Sequence, residues 1–304
     1  MPSEVIVALS IKSDGIYIDG TLGGGGHSAL IIERLKSGKL FGIDRDESAI
    51  KAASDKIISE NFVPIRGNFQ DMPVLMDKHG ISQGMIDGIL LDLGVSSHQI
   101  DTPERGFSFR TNGPLDMRMD RATEISAKEI INTYSEKELA KIFFEFGEER
   151  HSRKIAREIC KFRENSQIET TEQLAAIIEK ASPPQRNRQK SAPHPAMRTF
   201  MALRIAVNDE LSPLSAALQN AVKLLAKGGR IAVITFHSLE DRIVKTTFAK
   251  LASPCECPRD IPYCVCGKEP SLRVITRKPM LPTSEELSEN SRAHSAKLRI
   301  AEKV

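Results

Sequence analysis

The chain has no tryptophan among its 304 residues, and aromatics make up only 5%. No apolar run approaches the roughly 20 residues that cross a membrane as a helix, which argues against a membrane partner. The N-terminus lacks a basic segment followed by an apolar stretch, so a secretory leader is not expected. Charge of one sign is also lacking: the net charge is +3 with 27% charged residues, which by itself selects no partner class. Cysteine is sparse, with five in total. Four of them fall between Cys255 and Cys266, a clustering that suits metal or local redox chemistry better than a disulfide framework. The composition is that of a soluble globular protein, and the expected compartment is the cytoplasm. There is no internal repeat and no long low-complexity segment.

What is present is a strand, a glycine loop and a helix at the start of the chain. Ile16-Tyr17-Ile18 runs into Asp19, and five glycines follow between Gly20 and Gly26. The loop leads through His27-Ser28 into Ala29 to Leu35, which is spaced as an amphipathic helix. Glycine lets such a loop turn sharply and expose its backbone to a ligand. Strand, glycine loop and helix together open a nucleotide-type site. Further strands are expected at Lys39–Asp44, Phe62–Ile65, Met85–Asp92 and Arg230–Phe236, with short ones at Ser271–Thr276 and near Lys297–Ala301. The run Ile89-Leu90-Leu91 is continuously apolar, as in a parallel strand buried on both faces. Strands alternating with helices indicate a doubly wound α/β sheet.

The alternation stops near Thr102 and resumes after Arg204. Helical spacing is found at Ser126–Asn132, Glu136–Phe146, Ser152–Arg163 and Thr171–Ala181, and Phe143, Phe144 and Phe146 are expected to form a local core. The reading is therefore a discontinuous α/β domain, 1–102 with 205–304, carrying an all-helical insertion at 103–204. The next helix is expected from Asp209 to Ala226, broken by Gly228-Gly229.

In an open α/β sheet, ligands bind at the carboxyl ends of the strands. Asp19, Asp44, Phe69 and Asp92 all follow strands at that edge. Asp44 stands where a carboxylate reaches a ribose diol or caps the next helix. Phe69 can stack on a base or belong to the core. No Gly-Lys-Ser/Thr follows the glycines, which disfavours a phosphate-cradling loop. An acidic residue after strand one suits a ligand with an ammonium group. S-adenosylmethionine has an ammonium, a ribose diol and an adenine without phosphates, and fits better than a dinucleotide.

Longer signatures follow the fourth and fifth strands. Asp19-Gly-Thr-Leu-Gly-Gly-Gly-Gly-His27-Ser28, Asp92-Leu-Gly-Val-Ser-Ser-His-Gln99, Arg105-Gly-Phe-Ser-Phe109, Pro114-Leu-Asp-Met-Arg-Met-Asp120, Phe146-Gly-Glu-Glu-Arg150 and Phe236-His-Ser-Leu-Glu-Asp-Arg242 together resemble the bacterial RsmH (MraW) family. Its members are 16S ribosomal RNA cytosine-N4 methyltransferases that use S-adenosylmethionine. The resemblance covers nearly the whole chain. It implies a class I (Rossmann-like) methyltransferase sheet with a helical insertion as the RNA-substrate domain. It implies cofactor contacts from Gly25, Gly26, His27, Asp44, Phe69, Asp92 and Gln99. It also implies methylation of the exocyclic N4 of one cytidine in the decoding region of the small ribosomal subunit.

Within that frame, Asp92 is the candidate acceptor for the reacting amine, and Phe107 or Phe109 the candidate to stack on a base turned out of its helix. His237, in the signature after strand five, is a further candidate RNA contact or a structural histidine. The segment from Ser182 to Arg198 is basic, with Arg186, Arg188 and Lys190 and no acid, as phosphate contacts require. Methylation of DNA at cytosine N4 is the competing enzymatic reading. Such enzymes carry Ser/Asp-Pro-Pro-Tyr/Trp after strand four, which is missing here. A cofactor-binding assembly factor is the non-enzymatic one.

Two departures stand out. The family's His-x-Pro-Val run precedes the Glu-Val matched by Glu4-Val5, whereas here Met1-Pro2-Ser3 stand before it. Either the start is misassigned or a piece bordering the site is missing. The cluster Cys255, Cys257, Cys264 and Cys266 is not a general family feature. Four thiols suit a structural zinc site, although pairs spaced by one residue are tighter than the usual two to four.

Overall fold

The computed structural model describes residues 1–182, 194–258, 263 and 265–304. The chain divides into two compact units, Met1–Gly94 with Leu211–Val304, and Val95–Glu210.

The first unit is built on a seven-stranded sheet. Its strands are β1 (Ile16–Asp19), β2 (Lys39–Asp44), β3 (Phe62–Arg66), β4 (Ile86–Asp92), β5 (Leu225–Thr235), β6 (Leu272–Val274) and β7 (Lys297–Lys303). Their order is β3-β2-β1-β4-β5-β7-β6. The β1–β2, β1–β4, β2–β3 and β4–β5 pairs are parallel, and β7 lies antiparallel between β5 and β6. This is the Rossmann-like sheet of class I methyltransferases, and the strand order reverses between β1 and β4. Successive side chains enter opposite cores. Ile18, Ile89, Leu91, Ile231 and Val233 pack on one face, and Tyr17, Leu40, Leu90, Ala232 and Ile234 on the other. A sheet covered on both faces explains why β4 and β5 are apolar without interruption.

The helix expected to run to Ala226 ends at Leu224, and β5 begins at Leu225. Leu225 is 1% exposed and pairs with Ile86, so core packing claims it for the sheet. The Gly228-Gly229 pair lies within the strand rather than ahead of it. Gly228 has φ +80°, a conformation that costs glycine little.

The second unit is helical, with helices including Ala127–Thr133, Glu136–Gly147, Ser152–Arg163, Thr171–Ala181 and Ala196–Asn208. Capping boxes begin three of them, at Ser126, Ser135 and Thr170, which satisfies amide N–H groups that the first turn leaves open. Their buried sides meet in one core around Ile130, Leu139, Phe143, Ile155, Ile159 and Leu203. Phe146 packs against that core, but Phe144 is 63% exposed. Phe144 lies about 100° round the helix from Phe143, on the side that carries Lys137 and Lys141. Helix Ala196–Asn208 begins inside the stretch read as a basic loop. Asp209, expected to start the next helix, instead ends this one with φ 45°. The next helix starts at Leu214, after Pro213, a residue tolerated only in a first turn.

Candidate functional site

The glycine loop occupies the carboxyl edge where the strand order reverses, and backbone hydrogen bonds fix it to both neighbouring strands. The Gly20 N–H donates to Leu90 O at 2.9 Å, and the Leu22 N–H to Ile43 O at 2.9 Å. The Asp92 N–H donates to Thr21 Oγ1 at 2.6 Å. A Cβ on Gly20 would stand 2.5 Å from Leu91 Cδ2, so a side chain there would displace the core beneath the loop. Gly25 caps the helix Gly26–Ile32 with φ 71°. A Cβ on Gly24 or Gly26 would meet nothing within 4 Å among the described residues, which leaves room for a ligand along the loop.

Three acids hold different positions in this frame. Asp19 is 1% exposed and accepts hydrogen bonds from the Thr21 N–H at 3.2 Å and Ser28 Oγ at 2.7 Å. Burial pushes it up to about 6. Asp44 accepts from the Gly23 N–H at 2.8 Å and the Asp46 N–H at 2.9 Å, tying the first loop to the second. The cap of the following helix is Asp46, which accepts from the Ser48 N–H at 3.0 Å. Asp44 is thus half-buried and raised above its ordinary range, chiefly by burial.

Asp92 is the acid with capacity to spare. Its Oδ1 is buried and has no hydrogen-bond partner among the described residues. Burial, and then the charge of Asp19, raise it to about 7. His27 lies alongside, with Nδ1 3.6 Å from Asp92 Oδ2. Burial lowers His27 to about 4, so its ring is neutral at neutral pH, and its Nε2 also lacks a partner among the described residues. Buried polar atoms without partners are costly in a folded protein. Two of them beside a glycine loop mark a place shaped for a polar ligand.

The profile of the MraW methylase family matches residues 1–304. The chain belongs to the MraW methylase family. It is 50% identical over 304 residues to the ribosomal RNA small subunit methyltransferase H of Carboxydothermus hydrogenoformans, covering 99% of this chain and 96% of that protein. The namesake in Clostridium botulinum strain Loch Maree is 50% identical over 303 residues, with 99% and 96% covered. That of Fusobacterium nucleatum is 49% identical over 304 residues, with 99% and 95% covered.

As a member of this methylase family the protein uses S-adenosylmethionine, and the residues present suit that cofactor. A cationic ligand offsets the cost of ionising Asp92 next to Asp19 in a buried place. The open backbone over Gly24 and Gly26 leaves room for an extended ligand. Phe69 is half-buried in a short 3₁₀ turn, packed against the sheet core, so any stacking surface it offers is partial.

The remaining candidates are placed as follows. Gln99 is 5% exposed, and its Oε1 accepts from the Ser96 N–H at 3.1 Å in a capping box. Phe107 and Phe109 both pack against the core of the helical unit. Phe109 also stacks on His194, with ring centroids 4.5 Å apart. His237 is the N-cap of helix Ser238–Ala252, with Nδ1 3.4 Å from the Glu240 nitrogen and Nε2 3.1 Å from Glu240 Oε1. Cys255, Cys257 and Cys266 come together. Arg186, Arg188, Lys190 and Cys264 lie outside the described residues.

The helical unit also carries a surface that the sequence reading passed over. Lys137, Lys141, Arg150, Arg153 and Lys154 line a groove of about 900 Å³ with the exposed ring of Phe144. None of these five cations is in an ion pair among the described residues. The signal was the i, i+4, i+7 spacing of Lys137, Lys141 and Phe144, which places them on one helix face.

Among the described residues no helix is long and apolar enough to cross a membrane.

Proposed function

We propose that this methyltransferase modifies the exocyclic N4 of a cytidine in the 16S ribosomal RNA of the small subunit, in the decoding region, and that it works in the cytoplasm. Supporting the RNA class are relatives named as ribosomal RNA small subunit methyltransferases along 99% of the chain. The observation that carries the chemistry is Asp92, whose buried Oδ1 has no partner among the described residues at the edge where the strand order reverses between β1 and β4.

The cytosine amine is a weak nucleophile because its lone pair is delocalised into the ring. S-adenosylmethionine supplies, when bound, a methyl group on a cationic sulfur. The protein must hold the amine in line with that methyl, which is positioning catalysis. Asp92 Oδ1 is an acceptor able to hold an amine N–H. Its elevated pKa of about 7 also lets it take up the proton that the amine loses, as a general base tuned near the working pH does. Neutral His27, with Nδ1 3.6 Å from Asp92 Oδ2, stands beside it without adding a second positive charge.

The test is methyl transfer to small subunits from a strain lacking this activity, followed by mapping of the modified nucleoside. N4-methylcytidine at one position is expected. Methyl on a ring carbon or a ribose would refute the reading, as would cofactor binding without any transfer.

For RNA docking, the basic groove of the helical unit is the proposed surface, and His237 is not needed for it. Five cations can contact phosphates while Phe144 stacks on an unpaired base. Lys137→Glu with Lys141→Glu is expected to weaken RNA binding at least tenfold near 0.1 M salt. The slope of log affinity against log salt should fall by about 1.5, from roughly 0.7–0.9 per lost phosphate contact. Cofactor affinity should not move. An unchanged salt slope would remove the groove from the interface.

A further inference from the structure

The described residues of the segment between helix Ser238–Ala252 and β6 give it no hydrophobic reason to hold its shape. Among its described residues from 253 to 270, none is buried. Tyr263 is 74% exposed and Val265 69%. Yet the segment leaves and returns at one point, where the Ser271 N–H donates to Leu251 O at 2.9 Å. It is therefore a closed excursion of about 20 residues with no buried core among those described. Ordering so many residues costs conformational entropy that apolar burial does not offset here. Small elements in this position are held by disulfides or a metal.

The thiols supply such a staple. The Sγ atoms of Cys255, Cys257 and Cys266 all lie within 4.8 Å of one another, although Cys266 is nine residues beyond Cys257. A tetrahedral zinc with Zn–S bonds of about 2.3 Å sets its sulfurs about 3.8 Å apart, so a small contraction closes the set. The Val265 N–H donates to Cys257 Sγ at 3.4 Å, which ties the stretch of chain beside Cys266 to that sulfur. Lys268 and Glu256 form an ion pair that joins the two ends of the cluster from outside.

We propose that Cys255, Cys257 and Cys266 hold a structural zinc ion that staples this excursion to the methyltransferase unit. Cys264, which completes two Cys-x-Cys pairs in the sequence, lies outside the described residues. Each thiol gives up its proton to the buffer as it binds, the ion is neither oxidised nor reduced, and no catalytic step passes through it. The spacing departs from that of common zinc fingers.

Protein purified under reducing conditions without added metal is expected to carry about one equivalent of zinc by atomic emission. Cobalt added to metal-stripped protein should give thiolate-to-cobalt charge transfer and the d–d bands of a tetrahedral site. Cys257→Ser and Cys266→Ser should lose the metal, and Cys160→Ser should keep it. So that unfolding of a stripped variant does not decide the test, the wild-type protein provides a second measurement. Titration with an organomercurial should release zinc in step with modification of these thiols, and proteolysis should then cut between 253 and 271 while cofactor binding persists. The proposal is overturned by substoichiometric zinc with no cobalt–thiolate band. It is equally overturned by zinc retained after Cys255, Cys257 and Cys266 are all replaced, or by a disulfide in place of the metal under reducing conditions.

Discussion

Asp92→Asn is expected to slow methyl transfer about 10²- to 10³-fold while making the ligand-free protein more stable at pH 8. The two effects share one cause. Burial and the charge of Asp19 lift Asp92 to about 7, so between pH 4 and pH 7 the folded protein keeps a proton that the unfolded chain has released. Stability therefore falls as pH rises through that window, and the full cost is carried above pH 7. Asparagine has nearly the same shape and no charge to desolvate. The side chain is 29% open to solvent, so the gain at pH 8 should be about 1–2 kcal/mol rather than the full value of a three-unit shift. Thermal melts of wild type and variant should converge towards pH 4, separate progressively between pH 4 and pH 7, and keep the full difference at pH 8. Cofactor affinity of the variant should fall most, relative to wild type, at high pH, where the wild-type carboxylate is ionised and attracts the cofactor's positive charge. Equal melting temperatures at pH 8 together with unaltered turnover would remove Asp92 from the chemistry. Function at this place is thus paid for in stability, a common feature of sites with unpartnered polar groups.

The carboxyl edge was legible because each parallel strand ends where its apolar run meets an acid. Asp19, Asp44 and Asp92 all stand at such ends. The work each acid does was not legible, because it depends on which donors reach it. Asp44 and Asp92 read alike in one dimension. In the fold, Asp44 accepts two backbone N–H groups, whereas Asp92 Oδ1 is left without one among the described residues. Gln99 and His237 follow the same logic, since residues next to a helix start are drawn into capping. The helix Ala196–Asn208 was hidden by the basic residues ahead of it, although Phe200 and Leu203 are buried in the core of its unit. Phe144 was read as core because two neighbours were. Its exposure, with Lys137 and Lys141 on the same helix face, gives the helical unit a surface suited to RNA.

Asp241→Ala is expected to destabilise the protein by about 3–5 kcal/mol, although Asp241 sits in a signature that looks catalytic. Asp241 lies in the first turn of helix Ser238–Ala252 and faces Arg299 on β7. Arg299 Nε donates to Oδ1 at 2.6 Å and a terminal nitrogen to Oδ2 at 3.1 Å, while Lys297 Nζ is 3.7 Å from Oδ2. Arg299 is 5% exposed and sits opposite Val233 in the middle of the β5–β7 pairing. Removing the acid leaves a guanidinium in the sheet interior with no equivalent partner, and that uncompensated charge sets the size of the loss. Burial alone would raise Asp241, but the hydrogen bonds and charge of Arg299 hold it below the ordinary carboxylate range. Its contribution is therefore complete above about pH 4 and disappears as pH falls through the depressed value. Denaturant melts near neutral pH should show a lower midpoint at an unchanged slope. The paired replacement Asp241→Leu with Arg299→Met should recover most of the stability, since an apolar pair of similar volume needs no desolvation. Recovery of stability with little recovery of methyl transfer would give Asp241 a role in the reaction as well. Recovery of both would make it a staple between helix and sheet that keeps the carboxyl end of β5 beside that of β4.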